Sequence, residues 1–224
     1  MWCVCGAPFD RAVLEVDFLM NAVHTPLSES QRLNYTSGVG GYPAFLFTAQ
    51  SNVQLPVEES FSYPRLWSDF SMSAVVKPVP VRHRGGFLVA VVSPSGTHVQ
   101  FGLRISDDGG TDSSKIQLYY ADRGTVPESS AVIAEFAVTP PLTGDWNRLT
   151  VKVKGDHVTL LVDCSPHGTV TVDNRVRDIT FQYGSTFYVG QAGPRFADDK
   201  FEVSTSHHIG ETLYVTVVTF HHHF

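Results

Sequence analysis

The chain has 224 residues, 42% hydrophobic and 12% aromatic, enough apolar side chain to fill one full core. Its 16 basic and 22 acidic residues leave a formal charge of −6 at pH 7, so nothing in the bulk charge draws it to nucleic acid or anionic membrane, and any polyanion site must be local. No apolar run approaches the length of a membrane-spanning helix.

In chain order, Met1-Trp-Cys-Val-Cys-Gly lacks the basic start, continuous apolar stretch and small-residue cleavage site of a secretory signal. Three cysteines cannot all pair within one chain, and Cys3 and Cys5 are too close together to form an ordinary staple. Residues 11–23, with Val13, Leu14, Phe18 and Leu19 apolar, read as loosely helical. Residues 25–41 are rich in Ser, Gly, Asn and Thr and read as a linker or mobile lead-in. That lead-in carries Asn34-Tyr35-Thr36, an N-glycosylation acceptor triplet at Asn34. The expected boundaries are therefore a lead-in over 1–41, a domain over 42–202 and a divergent tail over 203–224.

From Tyr42 the strand signals recur at short intervals: 44–48, 52–55, 70–77, 86–93, 98–106, 115–121, 131–138, 147–154, 157–164, 169–172 and 186–191. Turn clusters such as Ser93-Pro-Ser-Gly96 and Asp107-Asp-Gly-Gly110 separate them, which is all-β spacing. A short helical turn fits 58–65, limited by Pro64. Phe70, Met72, Ala74 and Val76 share one face of their strand, and Val99, Phe101, Leu103 and Ile105 one face of theirs, as two packed inner sheets require. The clearest pattern is 147–164. Leu149, Val151 and Val153 alternate with Arg148, Lys152 and Lys154, Gly155-Asp156 turns the chain, and Val158, Leu160 and Val162 resume the alternation, which predicts a β-hairpin.

Catalytic patterns are weak. Glu15-Val-Asp17 begins a Glu-x-Asp-x-x-Glu arrangement, but position 20 is Met, so the second of the two carboxylates a glycosidase uses is missing. No nucleophile elbow, phosphate-binding glycine loop or His-Glu-x-x-His motif occurs. Asp107, Asp108 and Asp112 share a loop without the spacing of a calcium loop, and His207-His208 and His221-His-His223 lack a framework for tetrahedral zinc. We expect no enzyme, no cofactor and no metal. Trp67, Trp146 and Tyr119-Tyr120 read as core and cross-strand packing.

Gly144-Asp145-Trp146, the ending Leu161-Val-Asp163-Cys164, the run Phe187-Tyr-Val-Gly-Gln-Ala-Gly193 and Asp198-Asp-Lys-Phe201 together resemble the thrombospondin N-terminal-like domain, a branch of the laminin G-like folds. The form most resembled is that of the multiplexin collagens, types XV and XVIII, and the likeness covers about 42–202. It implies an all-β, laminin G-like or concanavalin A-like antiparallel sandwich (a jelly roll). It also implies a secreted, non-enzymatic module of the extracellular matrix, with matrix components, heparan sulfate or cell-surface receptors as partners. No nucleic acid or membrane insertion is implied. A stand-alone heparin- or glycan-binding lectin-like module is the alternative, and a degenerate glycoside hydrolase a more remote one.

The resembled domains include ones that bind heparan sulfate through basic surface residues, which implies the same use for local cation clusters here. The counterparts here are Lys77, Arg82 and Arg84 around one loop and Arg148, Lys152 and Lys154 along one strand. Keeping the outer faces wet and blunting sheet edges accounts for the same charges.

The resemblance stops after Phe201-Glu202, where the resembled fold has a closing strand and, beyond it, a cysteine that pairs with the one matching Cys164. This chain has no cysteine after Cys164, so the expected partner is missing. We therefore expect an incomplete or alternatively spliced product, with Val203-Ser204 matching translation through a splice donor. The run 213–220 is strongly β-forming; it either takes the place of the lost strand or lies on an exposed edge and promotes aggregation. No Gly-X-Y repeat is present, so this chain cannot itself enter a collagen triple helix.

Overall fold

Alternating apolar side chains send this chain through strand after strand, because each strand must bury one face and can leave the other wet. A computed structural model describes residues 15–17, 34–41, 43–47, 51–60, 65–66, 68–78, 85–107, 112–121, 130–142, 144–175, 177–199 and 213–222. The strands in chain order are β1 (Glu15–Asp17), β2 (Asn34–Ser37), β3 (Pro43–Phe47), β4 (Val53–Pro56), β5 (Arg65–Leu66), β6 (Phe70–Pro78), β7 (Gly86–Val92) and β8 (Val99–Asp107). They continue with β9 (Ser114–Ala121), β10 (Ser130–Val138), β11 (Asn147–Lys154), β12 (His157–Val162), β13 (Ser165–Thr171), β14 (Ile179–Thr180), β15 (Thr186–Val189) and β16 (Leu213–His222). The one helical turn expected over 58–65 is a short helix at Val57–Ser60.

Among the described residues the strands form two large antiparallel sheets. The larger runs β13-β12-β11-β6-β16-β3-β2, with β1 also paired to β16, and the second runs β10-β9-β8-β7-β15-β4. The small β5–β14 pair seats Leu66 and Ile179 in the core. The chain crosses from one large sheet to the other after β3, β4, β6, β10, β13 and β15, passing through β5 or β14 on two of these crossings, so sequence-distant strands lie side by side, as in a jelly roll.

The inner faces pack as expected. Phe70, Met72, Ala74 and Val76 of β6 and Leu149, Val151 and Val153 of β11 meet Phe101, Leu103 and Ile105 of β8 and Ile116, Leu118 and Tyr120 of β9. Phe70 stands edge-on to Phe101 at 5.8 Å and stacks with Tyr120 at 6.4 Å. Each such fully buried ring contributes roughly 2–3 kcal/mol by removal from water. Val99 departs from the expected face. The β7–β8 register shifts between Val91 and Val92, and Val99 joins a second cluster with Phe87, Ala90, Val92, Tyr188 and Ala192. A bulge adds one residue to one side of the ladder, and because the side-chain period is two, that turns the strand over.

The Val-Gly-Gln-Ala-Gly run ends β15 for a steric reason. Gly190 has φ 73°, and a Cβ there would lie 2.5 Å from the Phe47 ring, itself buried. Gly190→Ala is expected to cost about 3 kcal/mol, combining overpacking with left-handed strain. Urea denaturation reads this directly, and a midpoint equal to wild type would show that Phe47 has room to move.

Three expectations change. Residues 15–17 of the supposed helix form β1, pairing Glu15, Val16 and Asp17 with His221, Phe220 and Thr219. Residues 34–37 of the supposed lead-in form β2, antiparallel to β3. The run in the supposed tail is β16, which lies between β6 and β3, so it takes the place of a closing strand and is not an exposed edge. The sheet thus reaches past the 42–202 limits on both sides.

Candidate functional site

The outer face of the larger sheet is built by the hairpin that the sequence shows most clearly. β11 and β12 pair in the register Lys154↔His157, Lys152↔Thr159 and Thr150↔Leu161. Gly155, at φ 55°, opens the two-residue loop between them. The next loop is Asp163-Cys164, with both residues at positive φ, 48° and 66°. Positive φ at both positions is what a two-residue type I′ hairpin demands, and Asp tolerates it well. Asp163 ties that turn to β11: its Oδ1 accepts from Arg148 N at 2.8 Å while its own N–H donates to Arg148 O at 2.8 Å.

With Leu149, Val151 and Val153 inward, Arg148, Lys152 and Lys154 point outward, alternate positions lying about 7 Å apart along the strand, while Thr150 shares their parity but is buried. β6 lies alongside in the register Val75↔Arg148, Ser73↔Thr150 and Ser71↔Lys152, and Lys77 shares that outward parity. The structure therefore brings together Lys77, Arg148, Lys152 and Lys154 of the six cations expected to act on anions. Arg82 and Arg84 lie outside the described residues.

Between the cations the face carries hydroxyls. Ser73 and Thr150 share a hydrogen bond of 2.9 Å, Thr159 and Thr169 another of 2.9 Å, and His157 Nδ1 lies 3.2 Å from Thr171 Oγ1. A shallow groove of about 670 Å³ follows this surface, lined by Asp69, Lys152, Lys154, Gly155, His157, Thr159, Leu161 and Thr169. Asp69 is the one carboxylate in that lining. Its Oδ1 accepts from Gly155 N at 2.9 Å and lies 3.8 Å from Arg175 Nη2, so it serves the turn and not the open face. A smaller cavity of about 210 Å³ at the other end of β11 is lined by Val39, Val75, Trp146, Asn147, Arg148, Asp163 and Cys164.

Beneath the groove sits a residue that pattern reading missed. Arg175 is buried, donating from Nε and Nη2 to Gly155 O (3.1 and 2.7 Å), from Nη2 to Ser68 O (2.6 Å) and from Nη1 to Tyr120 Oη (3.1 Å). Tyr120 in turn donates to Arg177 O at 2.9 Å. Burial pushes the Tyr120 hydroxyl from 10.0 up to about 12, against the opposing pull of the Arg175 charge. This network fixes the β11–β12 turn and therefore the end of β11 that carries Lys152 and Lys154.

The remaining expected positions fall as follows. Cys164 is disulfide-bonded, which corrects the expectation of a missing partner; the other two cysteines of the chain are Cys3 and Cys5, outside the described residues. Arg148 Nη1 lies 3.5 Å from Cys164 Sγ. Asn34 belongs to β2 and not to a lead-in, and Thr36 of its triplet is exposed. Glu15 and Asp17 lie in β1, separated from β11 by β16 and β6. Tyr119 packs on Phe87 with ring centroids 5.1 Å apart, and Tyr120 is core, as expected of that pair. Residues 108–111 of the acidic loop, and the His207-His208 pair, lie outside the described residues, as does Trp67. No helix of the described chain is long and apolar enough to cross a membrane.

These two face-packed antiparallel sheets define a laminin G-like, concanavalin A-like β-sandwich of jelly-roll type. No family model matches the chain. In sequence it is similar to the collagen alpha-1(XVIII) chain of Homo sapiens, 30% identical over 205 residues that cover 90% of this chain and 11% of the collagen. The resemblance to multiplexin-type collagens therefore extends over nearly the whole chain, while the chain spans only about a tenth of that relative. Among solved structures, the binding domain of botulinum neurotoxin serotype D shares the fold, with a TM-score of 0.52 and 10% identity over 92% of this chain and 46% of that one. A heptameric SAP-like pentraxin from Limulus polyphemus aligns with a TM-score of 0.47 at 13% identity over 84% of this chain and 74% of that one.

Proposed function

We propose that this chain is a non-enzymatic module of the extracellular matrix that engages sulfated glycosaminoglycan through the outer face of β6, β11, β12 and β13. The observation that carries the reading is the row of cations on β11 set among hydroxyls. Lys152 and Lys154 flank a groove whose one carboxylate is already held by the Gly155 N–H and Arg175. Sulfates and carboxylates take charge-assisted hydrogen bonds from lysine and arginine, and sugar hydroxyls match the serine and threonine rows between them. Glycoside hydrolysis uses two carboxylates flanking the bond to be cut, and a groove with a single, structurally committed acid supports binding over turnover. Similarity to a collagen chain supports the matrix setting.

Heparin affinity chromatography tests the proposal. The wild-type chain is expected to stay bound at physiological ionic strength, where the screening length is about 8 Å and only clustered, closely held charges still act. Lys152→Gln/Lys154→Gln is expected to elute at lower salt with about tenfold weaker affinity, since two close cation–anion contacts are lost. Wild-type retention that vanishes at physiological salt would sink the specific reading. Binding of neutral glycans that ignores salt would instead favour the stand-alone lectin-like module, for which the hydroxyl rows are the relevant feature.

A further inference from the structure

Two residues beyond buried Arg175 the chain places a second arginine on the surface. Arg177 Nη2 donates to Asp156 Oδ1 at 2.8 Å, and the two side chains are 50% and 45% exposed. Asp156 is the second residue of the β11–β12 turn, and its neighbour Gly155 lines the groove with Lys152 and Lys154. A Cβ on Gly155 would lie 3.9 Å from Arg177 Nη1, so the guanidinium reaches the edge of the groove with no side chain of residue 155 in between. Its backbone is anchored from below, because Arg177 O accepts the Tyr120 hydroxyl of the buried network.

We infer that Arg177 is a further anion-contacting residue of this groove and that Asp156 acts as its internal competitor, occupying the guanidinium until a sulfate or carboxylate of the glycan displaces it. The inference rests on the sulfated-glycan reading above. An exposed ion pair is held weakly enough to be exchanged, and the planar guanidinium is suited to grip an oxyanion through two parallel N–H donors. Other charges around it are accounted for. Asp69 is committed to Gly155 N and Arg175, Asp178 is half-buried with its own interactions, and His157 lies across from Lys154 in the β11–β12 register. The groove then offers Lys152, Lys154 and Arg177 as a triangle of cations around a turn held rigid from the core.

The test is titration of a size-defined heparin oligosaccharide into four variants, Asp156→Asn, Arg177→Gln, the two combined, and Lys152→Gln, with thermal melts to confirm folding. Arg177→Gln is expected to weaken binding about 3- to 10-fold, and Asp156→Asn to tighten it about 3-fold, as fits one charge-assisted contact and one exposed competitor. In the combined variant the gain from Asp156→Asn is expected to disappear, because Asp156 acts through Arg177. If Arg177→Gln binds like wild type while Lys152→Gln loses affinity, this inference falls and the glycan reading stands. If the Asp156→Asn gain survives in the combined variant, Asp156 acts as a general surface charge and its role as competitor is overturned. If all four bind alike, the glycan reading itself fails.

Discussion

A chain cut after Glu202 is expected to lose cooperative folding altogether. β16 runs the length of β6, from Leu213↔Pro78 to His222↔Phe70, and on its other side pairs with β3 through Val215↔Phe45 and with β1 through Phe220↔Val16. Removing it unpairs the ladder edge of β6 and detaches β3, whose Phe45 and Phe47 belong to the core. Each buried backbone group left without a partner costs about 1–3 kcal/mol, and a domain's whole stability is about 5–15 kcal/mol. A handful of such groups is enough to exceed it. Near-UV circular dichroism and a thermal melt of residues 1–202 are expected to show no fixed tertiary signal and no sigmoidal transition. A sharp melt in that fragment would mean the sandwich closes without its C-terminal strand.

Legibility in the sequence followed the range of the forces involved. The β11–β12 hairpin occupies 147–154 and 157–162, almost as read, because strict alternation and a Gly-Asp turn are local signals. The outward cations Arg148, Lys152 and Lys154 came with it, since a strand's faces are fixed by its period. β1 departs from the helical expectation because a three-residue strand gives no period to detect; pairing with β16, some 200 positions away, creates it. The β-forming character of 213–220 was visible, but its place beside β6 depends on a long-range register. Val99 leaves its expected face because of a bulge that no composition signals. Arg175 and Arg177 sit two positions apart in Asp173-Asn-Arg-Val-Arg-Asp178, between β13 and β14. Nothing local tells the buried arginine from the exposed one.

That buried arginine is where a single substitution is expected to do most harm. Arg175→Met keeps side-chain volume but strips donors from Gly155 O, Ser68 O and Tyr120 Oη, all close to the β11–β12 turn. The loss is expected to be about 3–5 kcal/mol, as when one member of a buried charged network is removed. For a domain of this size that lowers the melting temperature by about 10 °C. Arg175→Lys is expected to recover only part of it, since an ammonium cannot reach three separate acceptors in the plane of a guanidinium.

Tyr120 adds a pH signature to the same node. Its folded pKa of about 12 exceeds the ordinary 10.0, so its contribution is complete below pH 10 and is lost as pH rises toward 12, where the unfolded chain ionises first. About two units correspond to roughly 2–3 kcal/mol. Tyr120→Phe should flatten the fall in stability between pH 10 and 12, at the expense of the hydrogen bond to Arg177 O. Denaturant titrations at pH 8 and pH 11 on wild type and Tyr120→Phe measure it. An equal loss of stability in both chains would place the alkaline transition elsewhere in the molecule. A loss confined to wild type would locate it at the hydroxyl that links β9 to Arg175 and Arg177 beneath the groove.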